Sequence, residues 1–103
     1  MMMRRETLID KIIALLDSGE ITILIVPLYP GYESWYFPDE KISLIRQHMG
    51  PTKSVGALVH SCLHELNPGA PHDWIKDQEE KVVQALTEQE RQKLLSFLKK
   101  ARR

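Results

Sequence analysis

The side chains best placed to do chemistry in this sequence are His60 and His64, four residues apart and so stacked on one face of a helix. Two imidazoles at that spacing can share a zinc ion, with Glu65 or His72 completing the coordination. The local sequence HSCLHEL lacks the HExxH pattern, and Cys62 falls on the apolar side of the same helix, away from both histidines. No metal and no cofactor are therefore expected, and His60 and His64 read as solvated residues of a polar surface. Asp73, Asp77, Glu79 and Glu80 have the look of paired carboxylates, yet they fall in the first turns of a helix, where acids complement the dipole. Catalysis needs a nucleophile or an acid–base pair within hydrogen-bond reach in a cleft, and no such constellation is legible, so an enzyme is not expected.

Length and composition define the body that must hold these groups. A chain of 103 residues with 43% hydrophobic content makes one small globular domain, residues 1–103, with a single modest core. Its 14 basic and 14 acidic residues cancel, so any attraction to nucleic acid or membrane must come from a local patch. The lone Cys62 has no partner for an internal disulfide, and MMMRRETLIDK lacks the apolar core and cleavage site of a secretory signal, which makes a cytoplasmic protein the expectation. No apolar run approaches the roughly 20 residues of a membrane-spanning helix.

Periodicity then places the elements. Leu8, Ile9, Ile12, Ile13 and Leu16 recur at helical spacing and Ser18-Gly19 supplies a stop. The run ITILIV, residues 21–26, is apolar without alternation and fits a strand buried on both faces. That strand needs a partner, either a short strand within residues 28–37 or the same strand of a second copy. The aromatic segment LYPGYESWYFP places Tyr29, Tyr32, Trp35 and Tyr36 around a Pro-Gly turn, as a satellite core or as a platform for a partner. Asp39 could cap a helix carrying Ile42, Ile45 and Met49 at i, i+3 and i+7, and Gly50-Pro51 would end it. Thr52 or Ser54 could cap the next, with an apolar face of Val55, Leu58, Val59, Cys62, Leu63 and Leu66. A fifth element opens at Pro71-His72-Asp73, and Thr87 with Glu90 forms a capping box before Leu94, Leu95 and Leu98. The expected fold is thus α+β and mainly α, with about five helices, one short buried strand and a helix-turn-helix-like core.

Residues 41–64 carry Lys41, Arg46 and Lys53 and no carboxylate, which suggests a helix pair turned toward something anionic. The stretch IRQHMGPTKSVGALVHSCLHEL resembles the helix-turn-helix of winged-helix regulators of the MarR type, with Thr52-Lys53-Ser54-Val55 opening a recognition helix. ALTEQERQKLLSFLKKARR is similar to the closing dimerisation helices of that family. Arg46 stands where the motif usually has a small residue, and residues 66–73 leave no room for a wing. The resemblance implies a DNA-binding regulator that forms a homodimer through its first and last helices. Arg46, Lys53, Ser54, His60, Ser61 and His64 would then contact duplex DNA. The alternative is a non-enzymatic interaction module, an adaptor, antitoxin-like protein or inhibitor, that binds a protein partner through Tyr29, Tyr32, Trp35 and Tyr36 or through its terminal helices.

Overall fold

The structure is a computed structural model and describes residues 7–102. Helix α1, Leu8–Asp17, starts at a capping box in which Thr7 and Asp10 satisfy each other's backbone N–H, and it buries Ile12 and Leu16. Gly19, at φ +75°, turns the chain out of the helix into the first strand.

Three strands follow: β1, Thr22–Val26; β2, Ser34–Phe37; and β3, Ile42–Arg46. Their spatial order is β1-β3-β2, with β1 parallel and β2 antiparallel to β3. The partner of the ITILIV segment is therefore β3, outside the 28–37 stretch expected to supply it. On its other edge β1 receives the backbone of Arg102, whose carbonyl accepts the Ile25 N–H at 2.7 Å.

The strand β3 overturns the expected fold, because the helix assigned to Asp39 through Met49 is not formed. Ile42, Ile45 and Met49 do recur at helical intervals. In the strand, however, Ser43 and Ile45 turn into the core while Ile42 and Leu44 turn to the opposite side. Apolar residues on both faces hide the two-residue period. The strand is bounded by non-glycine residues in left-handed backbone, Lys41 at φ 53° and His48 at φ 63°, which composition does not advertise. Asp39, expected as a helix cap, sits in the β2–β3 turn.

Three further helices complete the chain: α2, Pro51–Leu66; α3, His72–Ala85; and α4, Glu88–Lys100. Pro51 occupies the first position of α2, where its missing N–H costs nothing, and Gly50 rather than Thr52 or Ser54 is the cap residue. The described residues thus hold four helices and a three-stranded sheet, and the helix-turn-helix-like core is absent, because a strand precedes the Gly50-Pro51 break.

Helix α2 is the centre of the molecule. Val55, Leu58, Val59, Cys62 and Leu63 are fully buried there, and the helix touches β2, β3 and all three other helices. Ile12 and Leu16 of α1 and Leu94 and Leu98 of α4 belong to the same core cluster. The stripes expected to intertwine between two copies are thus used inside one chain. Of the sheet's residues, Ile25 and Ile45, paired on one face, belong to that cluster. Among the described residues no helix is long and apolar enough to cross a membrane.

Candidate functional site

Helices α2 and α3 form a hairpin closed by residues 67–71, where Gly69 takes φ +84°. Gly56, His60 and His64 lie at i, i+4 and i+8 on α2. His72 and Glu79, seven residues and about two turns apart, share one face of α3. The hairpin brings these two stripes together. A Cβ on Gly56 would stand 3.1 Å from Glu79 Oε2, so the absence of a side chain there admits the carboxylate against α2.

Glu79 Oε1 accepts from His60 Nδ1 at 2.8 Å, and their side chains are only 14% and 12% exposed. In the tautomer that this carboxylate favours, with the proton on Nδ1, His60 Nε2 presents a lone pair, 3.1 Å from His64 Nε2. The ring of His72 lies 4.9 Å from that of His60 and 5.9 Å from that of His64, centroid to centroid. Burial, reinforced by the neighbouring His60 and His72, lowers the pKa of His64 and favours its neutral ring. The candidate ligand atoms of His60, His64 and His72 all lie within 4.8 Å of one another.

The trio opens into a cleft of about 440 Å³ walled by Tyr32, Trp35 and Tyr36 of the β2 segment and by Pro68 and Gly69 of the hairpin loop. Tyr36 donates its hydroxyl to Glu65 Oε1 at 2.6 Å, and Lys41 Nζ donates to Glu65 Oε2 at 2.7 Å. These two hydrogen bonds, that from Lys41 the larger, hold the Glu65 carboxyl below its ordinary range. Glu65 is thereby committed to β2 and the β2–β3 turn. Burial chiefly, with the Glu65 hydrogen bond next, pushes the Tyr36 phenol up, and burial pushes the Cys62 thiol up to about 12.

Of the residues expected to contact DNA, Arg46 and Lys53 share one groove and the others lie apart from it. Ser61 is fully buried and bonds Ser43; His60 is covered by α3; Ser54 donates to the Met49 carbonyl at 3.3 Å. Lys53 is exposed and lines one groove with Arg46, at the end of β3, and another with Glu79 and Glu80, and Glu33 borders both. Lys41 is paired with Glu65 and, at 3.7 Å, with Glu20. The carboxylate-free run in the sequence does not become a carboxylate-free surface. His60 and His64 are not the solvated pair expected from their spacing, since both are partly buried and hydrogen-bonded. Glu79, expected as a first-turn acid that complements the dipole, instead lies in the second half of α3 and meets His60, a role that its seven-residue offset from His72 on a helix paired back against α2 would have indicated.

The aromatic segment splits. Tyr29 is 82% exposed on the β1–β2 connection, and Tyr32 packs its ring 5.3 Å from that of Trp35. By strand alternation Trp35 and Phe37 lie on the face opposite Tyr36, which bonds Glu65, and Trp35, on the edge strand, also lines the histidine cleft. Comparison with protein-family models, curated proteins and solved structures gave no match.

Proposed function

We propose that this chain is a protein-interaction module whose open sheet face is covered by an amphipathic helix of a partner protein. The observation that carries this is the make-up of that face. Leu24, Leu44 and Trp35 form one cross-strand row and Thr22, Ile42 and Phe37 the next. Leu24, Ile42 and Leu44 are half-buried yet belong neither to the core cluster nor to the residues packed against it, and Trp35 and Phe37 are 48% and 39% exposed. Contiguous apolar surface on a small protein marks an interaction site. The apolar run of β1 is patterned for burial on two faces, and the described residues cover one.

Size and charge favour a helix from another protein over a second copy. Three strands about 4.8 Å apart give a strip about 10 Å between outer axes, the width of one helix. The three strands contain no carboxylate, and their one cation, Arg46, lies at the end of the face. The strands of a second copy would add another arginine, whereas a partner helix can place an acidic residue or its carboxyl end there.

A photo-crosslinking residue at position 35, with a control at exposed Gln84, tests this in cells that naturally make the protein. Crosslinks from position 35 should map to an apolar stripe on a helix of one partner, be absent from position 84 and disappear with Leu44→Glu. The purified partner segment should then shift the emission of Trp35. Crosslinks that map only to another copy of this chain, or that survive Leu44→Glu, would overturn the proposal.

A further inference from the structure

Independently of the sheet face, the structure assigns a transition-metal site to His60, His64 and His72, with Glu79 as the carboxylate that orients the first of them. The His60–His64 separation fits a shared ion, and the His72 ligand atom, within 4.8 Å of both, would draw in to join them. Two imidazole nitrogens bound to one tetrahedral zinc at about 2.0–2.1 Å lie about 3.3–3.4 Å apart; the Nε2 atoms of His60 and His64 are 3.1 Å apart without one. His72 comes from a different helix, so the three donors converge from two sides of a rigid hairpin.

The supporting shell is that of a ligating histidine. Glu79 accepts the Nδ1 proton of His60, which fixes the tautomer and aims the Nε2 lone pair at the other two rings. Gly56 leaves the space that this carboxylate occupies. Other donors nearby are excluded: Cys62 is buried on the opposite side of α2, and both oxygens of Glu65 are engaged by Tyr36 and Lys41. Three neutral nitrogen ligands select a borderline divalent ion, Zn²⁺, Co²⁺, Ni²⁺ or Cu²⁺, over Mg²⁺ and Ca²⁺, which require oxygen. Because His72 is exposed and the cleft lies alongside, a fourth position is left for water or for an exogenous donor.

The test uses the full chain without added histidines, stripped with chelator and titrated with Zn²⁺ by calorimetry and with Co²⁺ by visible absorption. One ion per chain should bind, Co²⁺ should give the intense bands of a tetrahedral nitrogen site, and Zn²⁺ should raise the thermal midpoint. His64→Ala and His72→Ala should each weaken binding at least tenfold, and Glu79→Gln about tenfold to a hundredfold. His72 is exposed, so its variant should fold, and circular dichroism verifies this. His48→Ala, remote from the trio, should change nothing. Absence of saturable Zn²⁺ binding, a weak octahedral Co²⁺ spectrum, or binding unaffected by His72→Ala would overturn the assignment.

Discussion

The hydroxyl of Ser43 donates to that of Ser61 at 2.6 Å, and both residues are fully buried between β3 and α2. It is a polar contact inside an apolar core, and it sets the register of the central strand against the central helix. Removing Ser61 strands the Ser43 hydroxyl, whereas removing Ser43 leaves Ser61 its proton to offer to a carbonyl of its own helix. Ser61→Ala should therefore cost about 1–3 kcal/mol and Ser43→Ala less. The double variant should cost less than the sum, as read by denaturant unfolding. Equal and additive losses would show that the pair is not coupled.

The glycine in the middle of α2 makes a second prediction. Gly to Ala in a helix interior ordinarily stabilises by about 1 kcal/mol. Here the new methyl group meets Glu79 Oε2 at 3.1 Å, and that carboxylate is tied to His60. Gly56→Ala should yield its full gain only in a Glu79→Ala background, with a smaller gain or a loss in the parent, measured as a double-mutant cycle of unfolding free energies.

Glu65 gives the fold a dependence on acid. Its carboxyl is held below the ordinary value by Lys41 and Tyr36, so the unfolded chain binds the proton more tightly than the folded one. This contribution is fully present above the unfolded value near 4.5 and is lost as pH falls through the lower folded value. Between about pH 5 and pH 3 the parent should lose more stability than Glu65→Gln, which carries no such proton. Parallel curves for the two proteins would remove the pairing from the account.

Cys62 is fully buried and its thiol is pushed up to about 12, chiefly by burial. Native protein should resist a disulfide exchange reagent near neutral pH, and the thiol should react only as the protein unfolds, with the concentration of denaturant that exposes it matching the unfolding midpoint. Rapid labelling of the native state would mean that α2 opens locally.

Much of this architecture was written plainly in the chain, and the exceptions share a cause. The apolar stripes of α1, α2 and α4 face a single core, so a helical period survives in the sequence: Ile12 and Leu16, Leu58 and Cys62, Leu94 and Leu98. β3 must be apolar on both sides, with Ser43 and Ile45 toward α2 and Ile42 and Leu44 away from it, and the same letters fit a helix as well as a strand. Its bounding turns use Lys41 and His48 where glycine would have given a signal. The histidine pair was visible from its spacing. Its environment was not, because whether His60 meets water or Glu79 depends on how a second helix folds back against the first.

The order of the strands reaches beyond the finished fold. β3 lies between β1 and β2 but follows both in the chain, and β1 and β2 do not touch in the sheet. During synthesis the segment ITILIV leaves the ribosome some twenty residues ahead of β3, the strand it pairs with (Val26 is matched to Arg46). Throughout that interval its backbone is an open template for other chains. The local β2–β3 hairpin can close first, after which a single docking event captures β1. A cell that starves translation within that interval should accumulate insoluble nascent protein.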